Sequence, residues 1–583
     1  MSKKAKHSIV TEDVSVKTTQ SRKKILSHML ILISMLLIYF ACSKNGEDII
    51  IDEDVIDEEE IIDGVACSEL GMIPNDDTKG SSNRTILINA LKEGTNILVD
   101  NKYYLTGLGT ASQIESDIVI VGITENAEFS FIETMMTSSN FIRVAGQNLL
   151  MRRIRFTTKQ NELVYAFRLS DAHKMESMAF ENCYFEGPIR LVSWGYTGSV
   201  YPDPDQDDYG IEKFKFINNA CNNISKTFIA VPNVPIKHSQ IVKNRITNFS
   251  GIFYNQEITN ANIHVDKVAP KMAYLEVKDN TVINDASWDA IEYGSGLTYH
   301  CFIFFEGDRC DYKNNHVEGL HHFDQEITIY DAYFNCINLE YENNFWKNNI
   351  TFNSDPNFTV ARQLMKCKDA PRLDGYKNIK RVCRNNIFIV EKSYAAQFNR
   401  DPEELWVKII EFDNDMESVV VENNTIDVYI LRLNSSAVKT HNFTFSGNTI
   451  HAVKTLNRAS NAVLSISVTT NDGISGTYIA RNNKVTIDEP GSSPIRGNSL
   501  INYSITTGNI DHVKVIFEDN YVSWPDMKAI VRSTYTIRIG DLPMDISIKD
   551  NTVITESEPE KMTGINGGTI DITENTFIVT GGV

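Results

Sequence analysis

The stretch Phe445-Ser446-Gly447-Asn448-Thr449-Ile450 places an Asn between two short runs in which apolar and polar residues alternate. The same phrase returns at 277–282, 421–426 and 548–553. Taking one Asn per phrase gives a mean spacing of about 33 residues, which lies in the range of periods typical of solenoids. The series is Asn182, Asn219, Asn244, Asn280, Asn315, Asn344, Asn386, Asn424, Asn448, Asn483, Asn520, Asn551 and Asn575.

An Asn at this position favours a tight bend between two strands, because Asn tolerates the left-handed backbone conformation and its amide can bond to neighbouring groups. If every coil bends at the same place, the amides stack as an asparagine ladder and each strand pairs in parallel with the next coil. The pattern therefore predicts an all-β fold, a single-stranded right-handed parallel β-helix of about 13 or more coils. Its inward columns would hold Phe180, Cys183, Val277, Val282, Ile426 and Ile450.

The start of the repeat predicts one amphipathic helix over about 82–93, with Ser82 as N-cap and Gly94 as the stop, followed by strand-like runs. A helix laid over the first coil would cover an open sheet edge. With the Asp-rich turn at 74–78, this beginning resembles the pectin-lyase-like superfamily, and the resemblance spans about 72–580. It implies the fold and a polysaccharide as partner, since the superfamily includes polygalacturonases, pectate lyases and alginate or chondroitin lyases. Its polygalacturonase and pectate-lyase signatures are absent, so no catalytic residue is transferred.

The first 71 residues predict the cellular location of the protein. Residues 1–41 combine a basic region with an apolar run of 13 residues, too short to span a bilayer, and predict a signal peptide. The run ends at Ala41-Cys42, which resembles a bacterial lipoprotein cleavage site, so Cys42 is the predicted lipidation residue and the membrane a partner through its lipid. The acidic segment 42–71 predicts a flexible tether. It also resembles the surface-export signals of Bacteroides-group lipoproteins, with a plain solvated linker as the alternative. We expect outer-membrane anchoring, with cell-surface exposure if the export resemblance holds.

Composition excludes some partners. The chain of 583 residues holds 56 Lys and Arg against 76 Asp and Glu, a net charge of −20, which disfavours nucleic acid. The β-helix domain is predicted over 72–583, and we expect a monomer. Cys183 and Cys221 follow ladder Asn residues on adjacent coils, so they predict core stacking, with a disulfide as the alternative in an exported protein.

Candidate site residues come from the stacking of coils. Counting from Asn244, Asn280 and Asn315 places 251–256 beside 289–294 and 321–326. If their side chains point outward, these strands line one groove. It would hold Asp289, Glu292, His322 and Asp324 as catalytic candidates and Tyr254, Arg309, Arg190 and Trp194 as substrate-binding candidates, with Arg309 in an adjoining loop.

Two mechanisms fit such a groove. Glycoside hydrolysis needs two carboxylates about 5 to 9.5 Å apart, which Asp289 or Glu292 and Asp324 could supply from neighbouring coils. Uronate β-elimination needs a base, here His322 or Tyr254, and a neutraliser of the sugar carboxylate, here Arg309 or calcium. No cofactor is required by the sequence, and calcium remains an option. The acidic loop residues Asp203, Asp205 and Asp207 are a weaker metal candidate, because the loop lacks the Gly and Glu of an EF-hand.

The sequence thus predicts an envelope lipoprotein that engages polysaccharide along a β-helix groove, as a lyase or glycoside hydrolase. The alternative from another class is a non-catalytic glycan-binding or adhesive β-helix, which exposed aromatic residues would serve. A purely structural spacer would have no groove. The aromatic candidates are Trp194, Tyr196, Trp288, Tyr293 and Trp346.

Overall fold

The computed structural model describes most of the chain from residue 62 onward. The described residues are 62–106, 111–132, 139–158, 164–169, 174–194, 210–224, 227–249, 251–257, 273–284, 299–319, 328–348, 361–367, 380–390, 406–412, 416–432, 434–438, 440–455, 461–468, 474–490, 498–505, 510–533, 544–561 and 568–581.

The strands form a parallel β-helix, as the repeat predicts. Each coil contributes one strand to each of up to three parallel sheets, and every strand pairs with the equivalent strand of the next coil. Sheet 1 precedes the ladder residue, sheet 2 follows it, and sheet 3 completes the coil. Two long strands, Tyr299–Lys313 and Thr328–Glu342, bend from sheet 3 into sheet 1.

Sheet 1 consists of the second halves of these two long strands together with Val65–Ala66, Ile97–Val99, Ile118–Gly122, Asn148–Arg152, Lys174–Glu181, Gly210–Ile217, Ile236–Val242, Tyr274–Lys278, Lys380–Arg384, Met416–Glu422, Thr440–Ser446, Ile474–Arg481, Ile510–Glu518, Met544–Lys549 and Thr569–Thr573. Sheet 2 consists of Lys102–Thr106, Glu128–Ile132, Arg155–Thr158, Tyr184–Glu186, Ala220–Ile224, Arg245–Phe249, Thr281–Ile283, His316–Glu318, Phe345–Asn348, Ile387–Val390, Thr425–Arg432, Thr449–Thr455, Lys484–Ile487, Tyr521–Ser523, Thr552–Thr555 and Thr576–Val579. Sheet 3 consists of the first halves of the long strands with Ser112–Ile114, Ser139–Val144, Val164–Leu169, Ile189–Trp194, Ile229–Ala230, Ile252–Gln256, Ala361–Cys367, Trp406–Phe412, Asn434–Val438, Ala462–Val468, Asn498–Ile505 and Met527–Ser533.

Ordered strands begin before residue 72, where the sequence placed the start of the domain. Val65 and Ala66 pair with Ile97 and Leu98, and Cys67 is buried. The segment around it lies against the first coil because its backbone continues sheet 1. The part of the predicted tether from Val65 onward therefore belongs to the β-helix.

The predicted helix is present as Gly80–Lys92, after a 3-10 turn at Asp77–Lys79. It begins before Ser82, so Ser82 is not its N-cap; the Asp76 side chain instead accepts a hydrogen bond from the Thr78 amide at the preceding turn. Gly94 ends it with a φ of 75°. Leu87 and Leu91 are buried in the same core as the first coil. None of the helices among the described residues is long and apolar enough to cross a membrane.

The core is a column of apolar side chains inside the coils. The strands that alternate in sequence also alternate in burial, as in Met544–Lys549. The six residues predicted to point inward are all buried: Phe180, Cys183, Val277, Val282, Ile426 and Ile450. Cys183 and Cys221 are free thiols, and Cys221 pairs in register with Phe185 rather than Cys183, so the alternative of a disulfide between them is wrong.

The asparagine ladder fixes the corner between sheets 1 and 2. At Asn448 the side-chain amide donates to Asn483 Oδ1 and to the Val421 carbonyl, both at 3.0 Å, and its own Oδ1 accepts the Asn424 backbone and side-chain N–H groups at 3.0 Å. This satisfies a fully buried amide. The described ladder runs through Asn219, Asn244, Asn280, Asn315, Asn344, Asn386, Asn424, Asn448, Asn483, Asn520, Asn551 and Asn575.

Two details correct the sequence interpretation. Asn182 is not a rung, because Cys183 occupies the ladder position of that coil and donates its backbone N–H to Asn219 Oδ1. The left-handed residue is the one before each rung, with φ between 54° and 64° from Arg153 to Glu574. Asn182 is one of these left-handed residues. Where a phrase has two adjacent Asn residues, the first adopts the left-handed turn and the second forms the ladder.

Candidate functional site

Of the three stretches predicted to line the groove, the structure describes one, Ile252–Gln256 in sheet 3, and its register differs from the expected one. Ile252–Gln256 pairs with the stretch from Cys301 to Phe305, and not with 289–294. The count from the ladder fails because two residues separate Phe249 from Ile252 while fifteen separate Ile283 from Tyr299. The predicted alignment of these strands is therefore wrong.

The four predicted catalytic residues lie outside the described residues, Asp289 and Glu292 in 285–298 and His322 and Asp324 in 320–327. The strands that flank these segments are described. Ile283 pairs with Glu318 before the segments, and Tyr299 pairs with Thr328 after them. Both segments thus leave sheet 2 and enter sheet 3 at matching points of successive coils.

Tyr254 does not belong to an outer groove. It is fully buried, and its hydroxyl bonds to Gln256 Oε1 at 2.5 Å and to Ser239 Oγ at 3.0 Å inside the coil. Burial raises the pKa of Tyr254 far above its ordinary value, so it is no base. The prediction fails because Phe253 and Tyr254 both pack into the core, which breaks the alternation assumed for this strand.

Arg190 lies on the outer face of sheet 3, next to Tyr165 in register. Its guanidinium carbon stands 4.9 Å from the centre of the Tyr165 ring, and its Nε donates to the Thr227 carbonyl at 3.2 Å. Burial lowers the pKa of Arg190. Among the described residues no carboxylate pairs with it, so a held, partly desolvated cation faces outward with unused Nη donors.

Tyr165 is the residue that the sequence interpretation missed here. It lies 25 positions before Arg190, one coil away, and ring stacking is what holds the guanidinium. No ladder Asn marks these early coils, so register could not be counted. The backbone of Trp194 ends the same strand, Ile189–Trp194; its side chain lies outside the described part of the structure.

Arg309 lies in a strand of sheet 1 rather than in a loop, and its charge is already matched. Its Nε donates to Asp311 Oδ1 at 2.9 Å and its Nη2 to Asp311 Oδ2 at 3.2 Å. The hydrogen bonds that Arg309 donates to Asp311 raise the pKa of Arg309. The side chain is 47% exposed, but the residue faces away from sheet 3, so it is a weaker neutraliser than Arg190.

Arg309 belongs to a group on the outer face of sheet 1, here named the sheet 1 charge cluster. The Tyr274 hydroxyl bonds to Glu276 Oε1 at 2.6 Å and Asp311 Oδ2 at 2.8 Å, so the two carboxylates lie within the separation typical of retaining glycosidases. The cluster consists of His238, Gln240, Tyr274, Glu276, Lys278, Arg309, Asp311, Lys313 and Glu340.

The protonation of this cluster does not suit acid–base catalysis. Burial opposes ionisation of Glu276, but hydrogen bonds from Tyr274, Gln240 and Lys278 outweigh it and lower its pKa to about 2. Burial and the bonds to Glu276 and Asp311 raise the pKa of Tyr274. A hydrolase needs one carboxyl with a raised pKa, and a lyase needs a base with a matched one. Glu276 and Tyr274 provide neither.

Tyr274 is also unavailable as a sugar platform. One face of its ring stacks on His238 at 4.9 Å, and the Arg309 guanidinium lies 5.2 Å from the ring centre. The sequence held a signal for this cluster, since Tyr274, Glu276 and Lys278 stand six, four and two positions before Asn280, as Arg309, Asp311 and Lys313 do before Asn315. Equal offsets before a rung mean contact between coils.

The remaining site predictions fall largely outside the described residues. Cys42 and the acidic loop with Asp203, Asp205 and Asp207 are there. In the described ranges, no group of three or more His, Cys, Asp or Glu side chains could hold a metal ion. Trp346, one of the aromatics named for a glycan-binding protein, is 2% exposed in the core, so it is wrong as a surface platform.

No model of a known protein family matches this chain, and neither does any curated protein.

Proposed function

We propose that this protein is an envelope lipoprotein of the pectin-lyase-like type that engages an acidic polysaccharide along sheet 3 and cleaves it as a lyase or glycoside hydrolase. The observation that carries the proposal is Arg190, an outward guanidinium held by Tyr165 and Thr227 with no carboxylate partner among the described residues. A sugar carboxylate is the planar anion that such a group binds best.

The spacing of the fold supports a linear polymer as ligand. Sheet 3 advances from Ile189–Trp194 through Ile229–Ala230 and Ile252–Gln256 to Cys301, three coils on. Three coils correspond to about 14 Å. A polymer that lies along the coils would therefore meet Arg190 a few sugar units away from the points where 285–298 and 320–327 join sheet 3.

The catalytic part of the proposal rests on those two segments. The residues that flank them are register neighbours, Ile283 with Glu318 and Tyr299 with Thr328, which supports assigning Asp289, Glu292, His322 and Asp324 to one site. Glu292 or Asp289 with Asp324 would serve hydrolysis, and His322 as base with Arg190 as neutraliser would serve elimination.

The experiment separates cleavage from binding. The purified protein is incubated with a panel of polyuronates and neutral glycans, and new ultraviolet absorbance and reducing ends are measured. We expect cleavage of an acidic polymer, lost in Glu292→Gln or His322→Ala. If both variants cleave like the unaltered protein, the catalytic assignment is wrong.

Arg190 is tested by affinity electrophoresis on the same polymers. Arg190→Gln should weaken binding to acidic glycans about tenfold or more, since a charged hydrogen-bonded pair contributes about 1.5–3 kcal/mol. Arg245→Gln is the matched control, because Arg245 is exposed on sheet 2. Equal affinities for Arg190→Gln and the control would contradict the proposal.

The second candidate function is a non-catalytic glycan-binding or adhesive β-helix. It is favoured because Arg190 is held in place to bind a sugar carboxylate, whereas the described sheet 1 charge cluster, with Glu276 and Tyr274, does not suit proton transfer. Arg190-dependent binding without new absorbance or reducing ends would select this function.

The cellular location of the protein is a separate part of the proposal. Cys42 would carry the lipid, and the acidic segment behind it would direct the protein to the outer membrane and its cell surface. Cys42→Ala should release the protein from the membrane fraction and abolish incorporation of a labelled fatty acid. Protease treatment of intact cells tests surface exposure.

A further inference from the structure

The interior of the β-helix contains one arginine that the proposed function does not use. Arg381 is 1% exposed, and its register neighbours on the adjacent coils, Leu339 and Val419, are both buried apolar residues. Its side chain therefore occupies a core column rather than the outer face, where the nearby Arg384 lies 42% exposed in ion pairs.

The hydrogen bonds of Arg381 are incomplete in a specific way. Its Nη1 donates to Cys336 Sγ at 3.4 Å, while its Nε and Nη2 are buried and have no hydrogen-bond partner. These two nitrogens form one edge of the guanidinium, the edge that grips an anion with two parallel N–H groups. The donors left unused are thus a matched pair.

Within the described part of the chain, nothing neutralises this cation directly. It forms no ion pair, and Cys336 is not a thiolate, because burial raises its pKa to about 11 although Arg381 acts in the opposite direction. Asp308 lies close enough to raise that same pKa, but burial raises the pKa of Asp308 as well. An uncompensated charge in an apolar core is strongly unfavourable, so a counter-ion is required.

We propose that the Nε and Nη2 edge of Arg381 binds one small monovalent anion inside the β-helix, between the coils that carry Cys336 and Arg381. Chloride is the abundant anion of this class, and bromide and nitrate share its chemistry. The site is structural, independent of any glycan, and would be filled as these coils close on one another.

Bromide provides the direct test. The unaltered protein is refolded and crystallised in bromide, and the anomalous difference map is calculated at the bromine edge. We expect a peak within hydrogen-bonding range of both Nε and Nη2 of Arg381. Only a water molecule there, or nothing, would overturn the proposal, and so would a carboxylate of the chain in contact with this edge.

Stability provides the second test. At constant ionic strength, with chloride exchanged for gluconate, the melting temperature of the unaltered protein should rise by roughly 1–2 °C per tenfold chloride, because the anion binds the folded state alone. Arg381→Leu should lose this dependence and melt above the unaltered protein at low chloride, because the buried charge is gone. Arg384→Leu, the matched control from the same strand, should keep the dependence.

The outcomes are distinct. Equal chloride dependence in Arg381→Leu and in Arg384→Leu would overturn the proposal, because the effect would then be a general one. Should Arg381→Leu fail to fold, the bromide map of the unaltered protein decides. Asp308→Asn should show the same chloride dependence of the melting temperature as the unaltered protein. If only Asp308→Asn shows a chloride dependence, Asp308 is the counter-charge of Arg381 and the proposal is wrong.

Discussion

Two corners of each coil differ in what they allow. From Arg152 onward, the corner between sheets 1 and 2 has two residues in each described coil, a left-handed residue and a ladder residue. The corner between sheets 2 and 3 ranges from one residue, between Arg432 and Asn434, to fifteen after Ile283. The first corner is fixed by buried amides that must meet, whereas the second is not, so insertions that build a site collect there.

The strongest way to break this contrast is to change the length of the fixed corner. One Gly inserted between Gly447 and Asn448 should remove at least about 5 kcal/mol from the free energy of unfolding, because it turns every following side chain of the strand to the opposite face. The same insertion between 458 and 459, in the connection from Thr455 to Asn461, should remove less than about 1 kcal/mol. Denaturant titration of both variants measures the difference; similar losses would mean that the corners are equivalent.

A smaller effect is expected from removing one rung without changing length. Asn448→Ala removes the acceptor of the buried Asn424 backbone N–H and of one Asn424 side-chain N–H, and the donor to the Val421 carbonyl, which should cost about 3 kcal/mol of unfolding free energy. Asn442→Ala is the control, since Asn442 is exposed on the outer face of the preceding strand. A shift in the urea midpoint for Asn442→Ala as large as that for Asn448→Ala would argue against the ladder as the main constraint.

These two corners also explain what the sequence could predict. The fold could be predicted from the spacing of Asn residues, because the buried amide at the same corner of each coil appears in the sequence as a recurring Asn. The sheet 1 charge cluster was equally readable, since Tyr274 and Arg309 stand at equal offsets from their rungs. The site on sheet 3 could not be predicted, because connections of unequal length precede the strands of that sheet. Tyr254 and the neighbours of 251–256 were therefore placed wrongly, while Arg190 remained a candidate whose support by Tyr165 only the register shows.

The turning residue can be separated from the stacking residue. Gly447 has a φ of 64°, and a Cβ at this position would clash with Asn423 Oδ1. Gly447→Ala should cost about 1–2 kcal/mol, because the left-handed conformation is strained for Ala and the Asn423 side chain must move. Gly447→Asn should cost less, since Asn is the usual residue of this column. Thermal melting ranks the two variants, and the opposite order would exclude this account.

The smallest effect concerns an exposed stack on sheet 2, as a contrast to the buried one. His451 Nδ1 lies 2.8 Å from Asp427 Oδ1 and its Nε2 lies 2.9 Å from Asp488 Oδ2. Burial lowers the pKa of His451, but the two carboxylates outweigh it and raise the value above the ordinary 6.5. The stabilisation is therefore complete below about pH 6.5 and is lost as pH rises through the higher folded-state value.

His451→Ala should accordingly destabilise by at most about 1 kcal/mol near pH 5.5, since all three side chains are 40% exposed or more. The difference from the unaltered protein should shrink as pH rises above 6.5 through the higher folded-state pKa of His451. Unfolding midpoints across this range give the answer, and a difference that grows with pH would reverse the assignment.

The cysteines of the described coils have a practical consequence. Seven cysteine side chains of the described coils are buried in the core: Cys67, Cys183, Cys221, Cys301, Cys310, Cys336 and Cys383. A thiol reagent can reach each cysteine only when the coil that contains it opens. Labelling followed by peptide mass spectrometry would therefore measure the rate of local opening at seven positions. The order in which these cysteines become labelled would show at which end of the β-helix unfolding begins.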